Sequence, residues 1–498
     1  KGHENIQDYG NVKNFFSDKK TILKYIKQKN KKLSNNLKLN ILKEASSSNN
    51  FSLKTKIKNA SINSKEIKKN DIFFAIRGKH KDGNLFIGEA FNKGASLAIV
   101  NKIDNLKNTS KQIKVKDTLK FLTGASSIVR KNSSSKIIAI TGSCGKTSLK
   151  ELVSKTLKKI SKVTYSPKSF NNKFGVPLSL FNLNKNDDFG IFEIGMDKKN
   201  EIDSLSKIIK PDVGVITNVS YAHAKNFENI KQIALAKSEI IQNINNDGAI
   251  VLNADDQFYS FHKKIAIKRK LRVYSFSMKK KNSDIKFDFI KKEGKKYKIF
   301  IKVNKQNTYF YISSNFENYI KNFLAALTVI KIYKNINKLN KNIFYDYQIP
   351  KGRGDISKIK INKKNIYLID ESYNSNPLSL NSAIKNFDMM NVNNSKKHLI
   401  LGDMLELGKH SKKLHIEISR TINRSSINYV NVTGKHITET YKFINKNKKG
   451  LILKKKSEII NLIKNNINNN DYLMIKGSNS TGLHKLTNAL RAWKINAL

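Results

Sequence analysis

The sequence predicts an α/β protein of three domains, with doubly wound parallel sheets in the second and third. Two observations carry that expectation. Near-continuous apolar runs recur at Ile137–Ile140, Phe189–Ile194, Val213–Thr217 and Ala249–Leu252, and again at Tyr367–Ile369, His398–Leu401, Tyr429–Val432 and Tyr472–Ile475. Strands apolar at nearly every position are buried on both faces, as in parallel sheets flanked by helices. The first of these runs also opens through Thr141-Gly142-Ser143-Cys144-Gly145-Lys146-Thr147 into Ser148-Leu149-Lys150-Glu151-Leu152-Val153, which reads as strand, glycine loop and helix. The central domain is therefore expected to be a P-loop-type sheet. The C-terminal domain is expected to be Rossmann-like, with glycine turns at Gly402, Gly434 and Gly477.

A chain of 498 residues allows two to four domains. The polar run Asn132-Ser133-Ser134-Ser135 marks one boundary and the approach to Pro350 another, giving domains over 34–134, 135–348 and 349–498. Residues 1–33 stand apart. They carry Lys1-Gly2-His3-Glu4 and Phe15-Phe16-Ser17-Asp18, then a short helical pattern near 21–26 and a Lys/Asn-rich linker.

In the first domain, Asp71–Ile76 reads as a strand and Arg77-Gly78 as its turn. Asp82-Gly83 marks a second turn, Phe86–Gly94 a helix and Ala95–Val100 a strand. In the second, the alternating stretch Ser275–Ile312 predicts an antiparallel extension of the sheet, followed by a helix over Tyr319–Ile332. The third repeats the parallel pattern from Pro350 onward.

The charge is extreme: 95 Lys+Arg against 38 Asp+Glu, formally +57. The lysines are spread along the whole chain among asparagines, without the aromatic pattern of an RNA- or single-strand-binding module. They read as a solvated surface, and no nucleic-acid partner is expected. Such a surface helps to collect an anionic, nucleotide-linked substrate. The single cysteine, Cys144, excludes an intrachain disulfide. No apolar run spans a bilayer and no signal-peptide pattern is present, so a cytoplasmic setting is expected. A monomer is also expected.

The glycine loop carries the first chemistry. Backbone N–H groups of Gly142, Ser143, Cys144, Gly145 and Ser148, ahead of a helix N-terminus, form a cradle for phosphate oxygens. Lys146 is placed to reach the β/γ-phosphates and the Thr147 hydroxyl to ligate Mg²⁺. ATP is the expected nucleotide. Only two residues separate the glycines, which argues against a kinase or a signalling GTPase. Cys144 at the helix start is expected to have a lowered thiol pKa and to be reactive.

Further motifs lie at or near strand ends: Ser169-Phe170-Asn171-Asn172-Lys173-Phe174-Gly175-Val176-Pro177, Glu193-Ile194-Gly195-Met196, Asn218-Val219-Ser220-Tyr221-Ala222-His223 and Ala236-Lys237-Ser238-Glu239. The third domain adds Lys351-Gly352-Arg353, Asp370-Glu371-Ser372-Tyr373-Asn374-Ser375-Asn376-Pro377 and Leu401-Gly402-Asp403-Met404-Leu405-Glu406-Leu407-Gly408. Together they resemble the Mur ligases, ATP-dependent amide-forming enzymes of peptidoglycan precursor synthesis, from about residue 37 to the end. The third-domain motifs, with Phe73–Gly78 and Asp82-Gly83, resemble the member that joins D-alanyl-D-alanine to UDP-N-acetylmuramoyl-tripeptide.

The resemblance implies roles. A small N-terminal α/β domain holds the uridine diphosphate end. Thr147 and Glu193 hold one Mg²⁺; His223 and Glu193 help to hold a second, supported by a carbamylated Lys237. Asn322 contacts adenine, Arg353 clamps phosphate when the domains close, and Asp370 or Glu371 contacts ribose. Asn171 and Asn172 line the substrate and phosphate channel, and Lys476, Ser478 and Asn479 read the peptide. Departures from the family pattern stand at Lys65, Asn318-Tyr319, Glu371 and Asn479. Residues 1–33 resemble the C-terminal end of the preceding ligase of the series, which implies a fusion of two ligases. Two other readings share the loop: a folylpolyglutamate-type ligase, against which the N-terminal segment argues, and a basic P-loop ATPase that binds nucleic acid.

Overall fold

The computed structural model describes residues 37–46, 56–78, 81–105, 108–279 and 282–492. The expectation for residues 1–33 lies outside the described residues. The chain folds as two compact units, Lys1–Ser133 with Pro177–Leu183, and Ser134–Val176 with Asn184–Leu498.

The first unit holds helix α1 (Leu37–Ser46) and a small parallel sheet of β1 (Ala60–Ser61), β2 (Ile72–Phe74), β3 (Leu97–Val100) and β4 (Gln112–Lys114), in that spatial order. Helices α2 (Ile87–Asn92) and α3 (Thr118–Lys131) accompany it. The expected strand at 71–76 shortens to β2 because Arg77 bridges to Asp82, folding the chain back. Asp117 starts α3 by accepting from the backbone N–H groups of Leu119 and Lys120, each at 2.9 Å. Phe73, Ala75, Ile87, Ala90, Ala98 and Val100 form its core.

The second unit contains two sheets. The larger comprises β5 (Lys136–Thr141), β6 (Val163–Tyr165), β7 (Phe189–Glu193), β8 (Val213–Ile216), β9 (Ala249–Asn253), β10 (Arg272–Ser277), β11 (Ile285–Glu293), β12 (Lys296–Val303) and β13 (Gln306–Ile312). Their order is β13-β12-β11-β10-β9-β8-β5-β7-β6. Pairing is parallel from β6 to β11 and antiparallel from β11 through β13, so the expected antiparallel extension begins at Ile285. Helices α4 (Lys146–Lys158), α5 (Gly175–Phe181, of which Pro177 onward belongs to the first unit), α6 (Glu201–Ile209), α7 (Ile230–Gln242), α8 (Tyr259–Lys268) and α9 (Glu317–Lys331) follow in chain order. Helix α9 is buried through Phe323, Leu324, Leu327 and Ile330 against β5, β8 and β9 residues such as Ile138, Val215 and Val251. That burial presents Asn322 toward the loop after β5.

The smaller sheet comprises β14 (Asp355–Ile361), β15 (Lys364–Glu371), β16 (Lys397–Gly402), β17 (Tyr429–Thr433), β18 (Lys449–Ile452) and β19 (Tyr472–Lys476). Its order is β14-β15-β19-β16-β17-β18. The purely parallel expectation is corrected at one edge. Strand β14 pairs antiparallel with β15 through a tight turn at Asn362-Lys363, both at positive φ. Its alternating, half-exposed pattern lacks the apolar run that marks a buried strand. Helices α10 (Pro377–Met389), α11 (Ser411–Asn423), α12 (Thr438–Lys442), α13 (Lys456–Asn466) and α14 (Leu483–Ala492) complete this part.

Candidate active site

The loop after β5 is shaped by its two glycines. Gly142 has φ 149°, and a Cβ there would lie 1.8 Å from Thr217 Oγ1. Gly145 has φ 82°, in the left-handed region that favours glycine. The segment following β8 ties the loop down. Thr217 Oγ1 donates to the Cys144 carbonyl at 2.6 Å, and Cys144 N donates to Asn218 Oδ1 at 2.9 Å. Ser143 N donates to the Asn218 carbonyl at 3.0 Å, and Ser143 Oγ to the Ser220 carbonyl at 2.8 Å. The loop is thus preformed at the C-terminal ends of the parallel strands, where α/β sheets bind ligands.

Around it lies a cavity of about 1000 Å³. The loop residues Ser143–Ser148 line it, together with Asn171, Asn172, Glu193, His223, Asn322, Arg353, Glu371 and Lys476. Thr147 Oγ1 donates to Glu193 Oε2 at 2.7 Å, and Asn171 Nδ2 donates to Glu193 Oε1 at 2.8 Å. Arg353 Nη2 donates to Thr147 Oγ1 at 3.0 Å, and its guanidinium lies 4.2 Å from the Tyr373 ring centroid. Lys146 Nζ donates to the carbonyl of Gly142 at 2.8 Å. Burial holds the Lys146 amine below the usual lysine range, opposed by the charge of Glu193.

Glu193 is 1% exposed and makes no ion pair among the described residues. A buried carboxylate with no direct ion pair, beside a hydroxyl, is a hard oxygen set suited to Mg²⁺.

Two expected sites are corrected. Asp370 and Glu371 are consecutive on β15 and so point to opposite faces. Asp370 is fully buried, accepts from Ser372 N at 2.9 Å and pairs with Arg491 at 2.9 Å, so only Glu371 faces the cavity. The Cys144 thiol is raised, not lowered. Burial outweighs the hydrogen bond to Asn376 Oδ1 at 3.1 Å and the nearby lysine charges. His223 lines the cavity, with Nδ1 2.6 Å from Glu406 Oε2 and 2.9 Å from Asp197 Oδ1.

Two further residues are placed more narrowly than expected. Asn172 lines the cavity, but its Oδ1 accepts from Phe174 N and Gly175 N at 3.1 and 3.0 Å, shaping the entry to α5. Lys237, on α7, is 3% exposed and makes no hydrogen bond or ion pair among the described residues. Burial pushes its amine well below the usual range, with Lys146 adding to the effect.

Sequence reasoning gave no role to Ser169, Tyr373 or Glu406, though all lie inside quoted motifs. Tyr373 Oη is 2.8 Å from Ser169 Oγ, and Ser169 Oγ is 3.3 Å from Thr147 Oγ1. Nothing in their local sequence signals these partners, which come from distant parts of the chain. Lys476 is also buried, with Nζ 3.2 Å from Glu371 Oε2 and donating to the Asn374 carbonyl at 3.0 Å.

Known proteins match the chain along most of its length. The Mur ligase middle domain matches residues 140–330, the glutamate ligase domain of Mur ligases 357–479, and the Mur ligase family catalytic domain 56–136. UDP-N-acetylmuramoyl-tripeptide–D-alanyl-D-alanine ligase of Rickettsia prowazekii (strain Madrid E) is 32% identical over 429 residues, covering 85% of this chain and 93% of its own. The protein of that name from Buchnera aphidicola subsp. Baizongia pistaciae is 33% identical, covering 84% and 89%. The crystal structure of MurF from Acinetobacter baumannii shares the fold at TM-score 0.77 and 24% identity, over 91% of this chain and 98% of its own. MurF from Thermotoga maritima, crystallised with ADP, does so at TM-score 0.73 and 23% identity, over 88% and 97%. The sequence relatives are matched over nearly their whole length as single ligases, which lends no support to a second ligase fused upstream.

Proposed function

The chain belongs to the Mur ligase family, and from that premise we propose how its residues divide the work of joining D-alanyl-D-alanine to UDP-N-acetylmuramoyl-tripeptide. The protein is an ATP-dependent amide-forming ligase of peptidoglycan precursor synthesis.

A carboxylate is a poor acyl donor. ATP first phosphorylates the tripeptide carboxylate, and the dipeptide amine then attacks the acyl phosphate and expels phosphate. No enzyme nucleophile is needed. The protein's task is to align the reactants and neutralise charge on the transferred phosphoryl group.

The loop amides of Gly142–Ser148 cradle the phosphates. Lys146 exchanges its bond to the Gly142 carbonyl for the γ-phosphate. Arg353, already stacked on Tyr373 and bonded to Thr147, clamps the same group from the C-terminal domain. Thr147 and Glu193 would hold a Mg²⁺ and His223 would serve a second; the metal would supply charge neutralisation at the phosphoryl oxygens. Asn171 orients Glu193, and Asn172 holds the turn that carries Asn171. Asn322 faces the adenine and Glu371 the ribose.

Burial disfavours the ammonium form of Lys237 and shifts it toward the free amine. Such an amine adds to carbon dioxide, forming an N–C bond and releasing one proton, and the resulting carbamate is an oxygen ligand. We assign that role to Lys237 in support of the second Mg²⁺.

Residues 34–134 take the uridine diphosphate end, 135–348 the nucleotide and 349–498 the dipeptide. No helix among the described residues is long and apolar enough to cross a membrane, and the site of action is assigned to the cytoplasm.

The single observation that carries this reading is the meeting of Thr147, Glu193 and Arg353 inside a cavity of about 1000 Å³. The test is ADP release from MgATP, the UDP-linked tripeptide and D-alanyl-D-alanine, omitting each in turn. Release is expected only when all are present, and not in Lys146→Ala. Release that ignores both peptides and rises with added nucleic acid would favour the basic ATPase instead.

A further inference from the structure

We propose that Glu406 is a positioning residue for His223, delivered by the C-terminal domain, so that the His223 metal position is complete only when that domain is docked. The proposal rests on the assignment of His223 to the second Mg²⁺.

His223 follows β8 and Glu406 follows β16, in different sheets of the second unit. Their side chains nevertheless meet, with Glu406 Oε2 2.6 Å from His223 Nδ1. Both residues have left-handed backbones, φ 55° for His223 and 65° for Glu406, and neither is glycine. Each such conformation costs on the order of 1 kcal/mol or more and persists only where surrounding contacts enforce it.

Those contacts form a clasp. Lys225 N donates to the Glu406 carbonyl at 2.8 Å. His410 Nε2 lies 3.3 Å from the Phe227 carbonyl, and its ring is 5.0 Å from that of Tyr221. Gly408, φ 54°, sits so close to Lys225 that a Cβ would fall 2.7 Å from the Lys225 Cα.

The consequence is chemical. A neutral imidazole has one N–H and one lone pair. A carboxylate at Nδ1 keeps the proton on that nitrogen and leaves the Nε2 lone pair for a cation. Carboxylate partners of this kind orient metal-binding histidines, and losing one typically costs 10- to 100-fold in metal affinity. Asp197 also approaches Nδ1, at 2.9 Å, but it belongs to the segment after β7 and is present whether or not the C-terminal domain is docked. Of the two carboxylates at Nδ1, Glu406 is the one that reports docking.

The test titrates Mn²⁺, observed by electron paramagnetic resonance, into the full chain with ADP bound. Wild type is expected to show two classes of site. Glu406→Ala should weaken only the weaker class, by about 10- to 100-fold, with the thermal midpoint and the tighter class unchanged. Excess Mg²⁺ should restore kcat with little change in KM for ATP. Glu406→Gln, of the same shape, should give a smaller loss of the same sign. Wild-type Mn²⁺ binding in both variants, or equal weakening of both classes with loss of fold in both, overturns the proposal. His223→Ala separates the two assumptions: if it leaves both classes intact, His223 is not a ligand, and that assignment fails whatever Glu406 does.

Discussion

Arg353 and Thr147, 206 residues apart in the chain, are joined by a 3.0 Å hydrogen bond from the guanidinium to the hydroxyl at the foot of the phosphate loop. The guanidinium also stacks on Tyr373. Lysine can supply the charge but neither the planar stack nor the fork of donors. Arg353→Lys should therefore lower kcat about 10²-fold or more, with an unchanged thermal midpoint, as measured by steady-state ADP release and calorimetry.

The Cys144 thiol donates to Asn376 Oδ1 and is raised by burial. Only the thiolate reacts with alkylating reagents. At neutral pH Cys144 should therefore react more slowly than a free cysteine, and its rate should continue to climb above the pH at which a free thiol levels off. Cys144→Ser should keep ATP binding, because the loop offers phosphate its backbone. Iodoacetamide kinetics across pH check the first outcome, and nucleotide titration the second.

Tyr319 is buried, and burial raises its phenol to about 12. An unfolded tyrosine ionises near pH 10, so between about pH 10 and 12 the unfolded chain releases a proton that the native state retains. Stability falls as pH rises through that window, by about 3 kcal/mol for this group, and is unaffected below it. Urea midpoints of wild type and Tyr319→Phe should change in parallel up to about pH 10 and diverge above it, with wild type losing more.

Lys150 is fully buried on α4, with Nζ donating to the carbonyls of Ser166 and Lys168 and 3.2 Å from Glu151. It anchors the segment that presents Ser169 to Arg353 and Tyr373. Lys150→Met keeps the stem and removes the donor to the Ser166 carbonyl and the charge beside Glu151. A loss of about 1–3 kcal/mol is expected from urea unfolding, with KM for ATP rising as the Ser169 segment loosens.

The parts of the site legible in the sequence were those set by local rules. The phosphate loop could be read because a left-handed turn requires Gly145 and a close approach requires Gly142, and because Lys146 and Thr147 must follow at the helix start. The buried parallel strands could be read because burial on both faces demands apolar residues in series. Strand β14 escaped because it is an edge with alternating exposure, and β6 because it has three residues. The choice between Asp370 and Glu371 was illegible for another reason. Both are acidic and adjacent, and the strand's alternation decides between them only once the faces are known. Arg491, from the last helix, takes the inner one.

What the sequence determined by itself was the strand–loop–helix around Thr141–Ser148, the three-domain α/β plan and the residue types at strand ends. Backbone freedom and apolar periodicity act over a few residues and leave a local signature. What only the tertiary structure decided was which distant groups meet: Arg353 with Thr147, Glu406 with His223, Asn376 with Cys144. These pairs join loops of different sheets, where no local preference encodes a partner. The directions in which Lys237 and Cys144 shift also follow from packing, since their burial depends on what covers them.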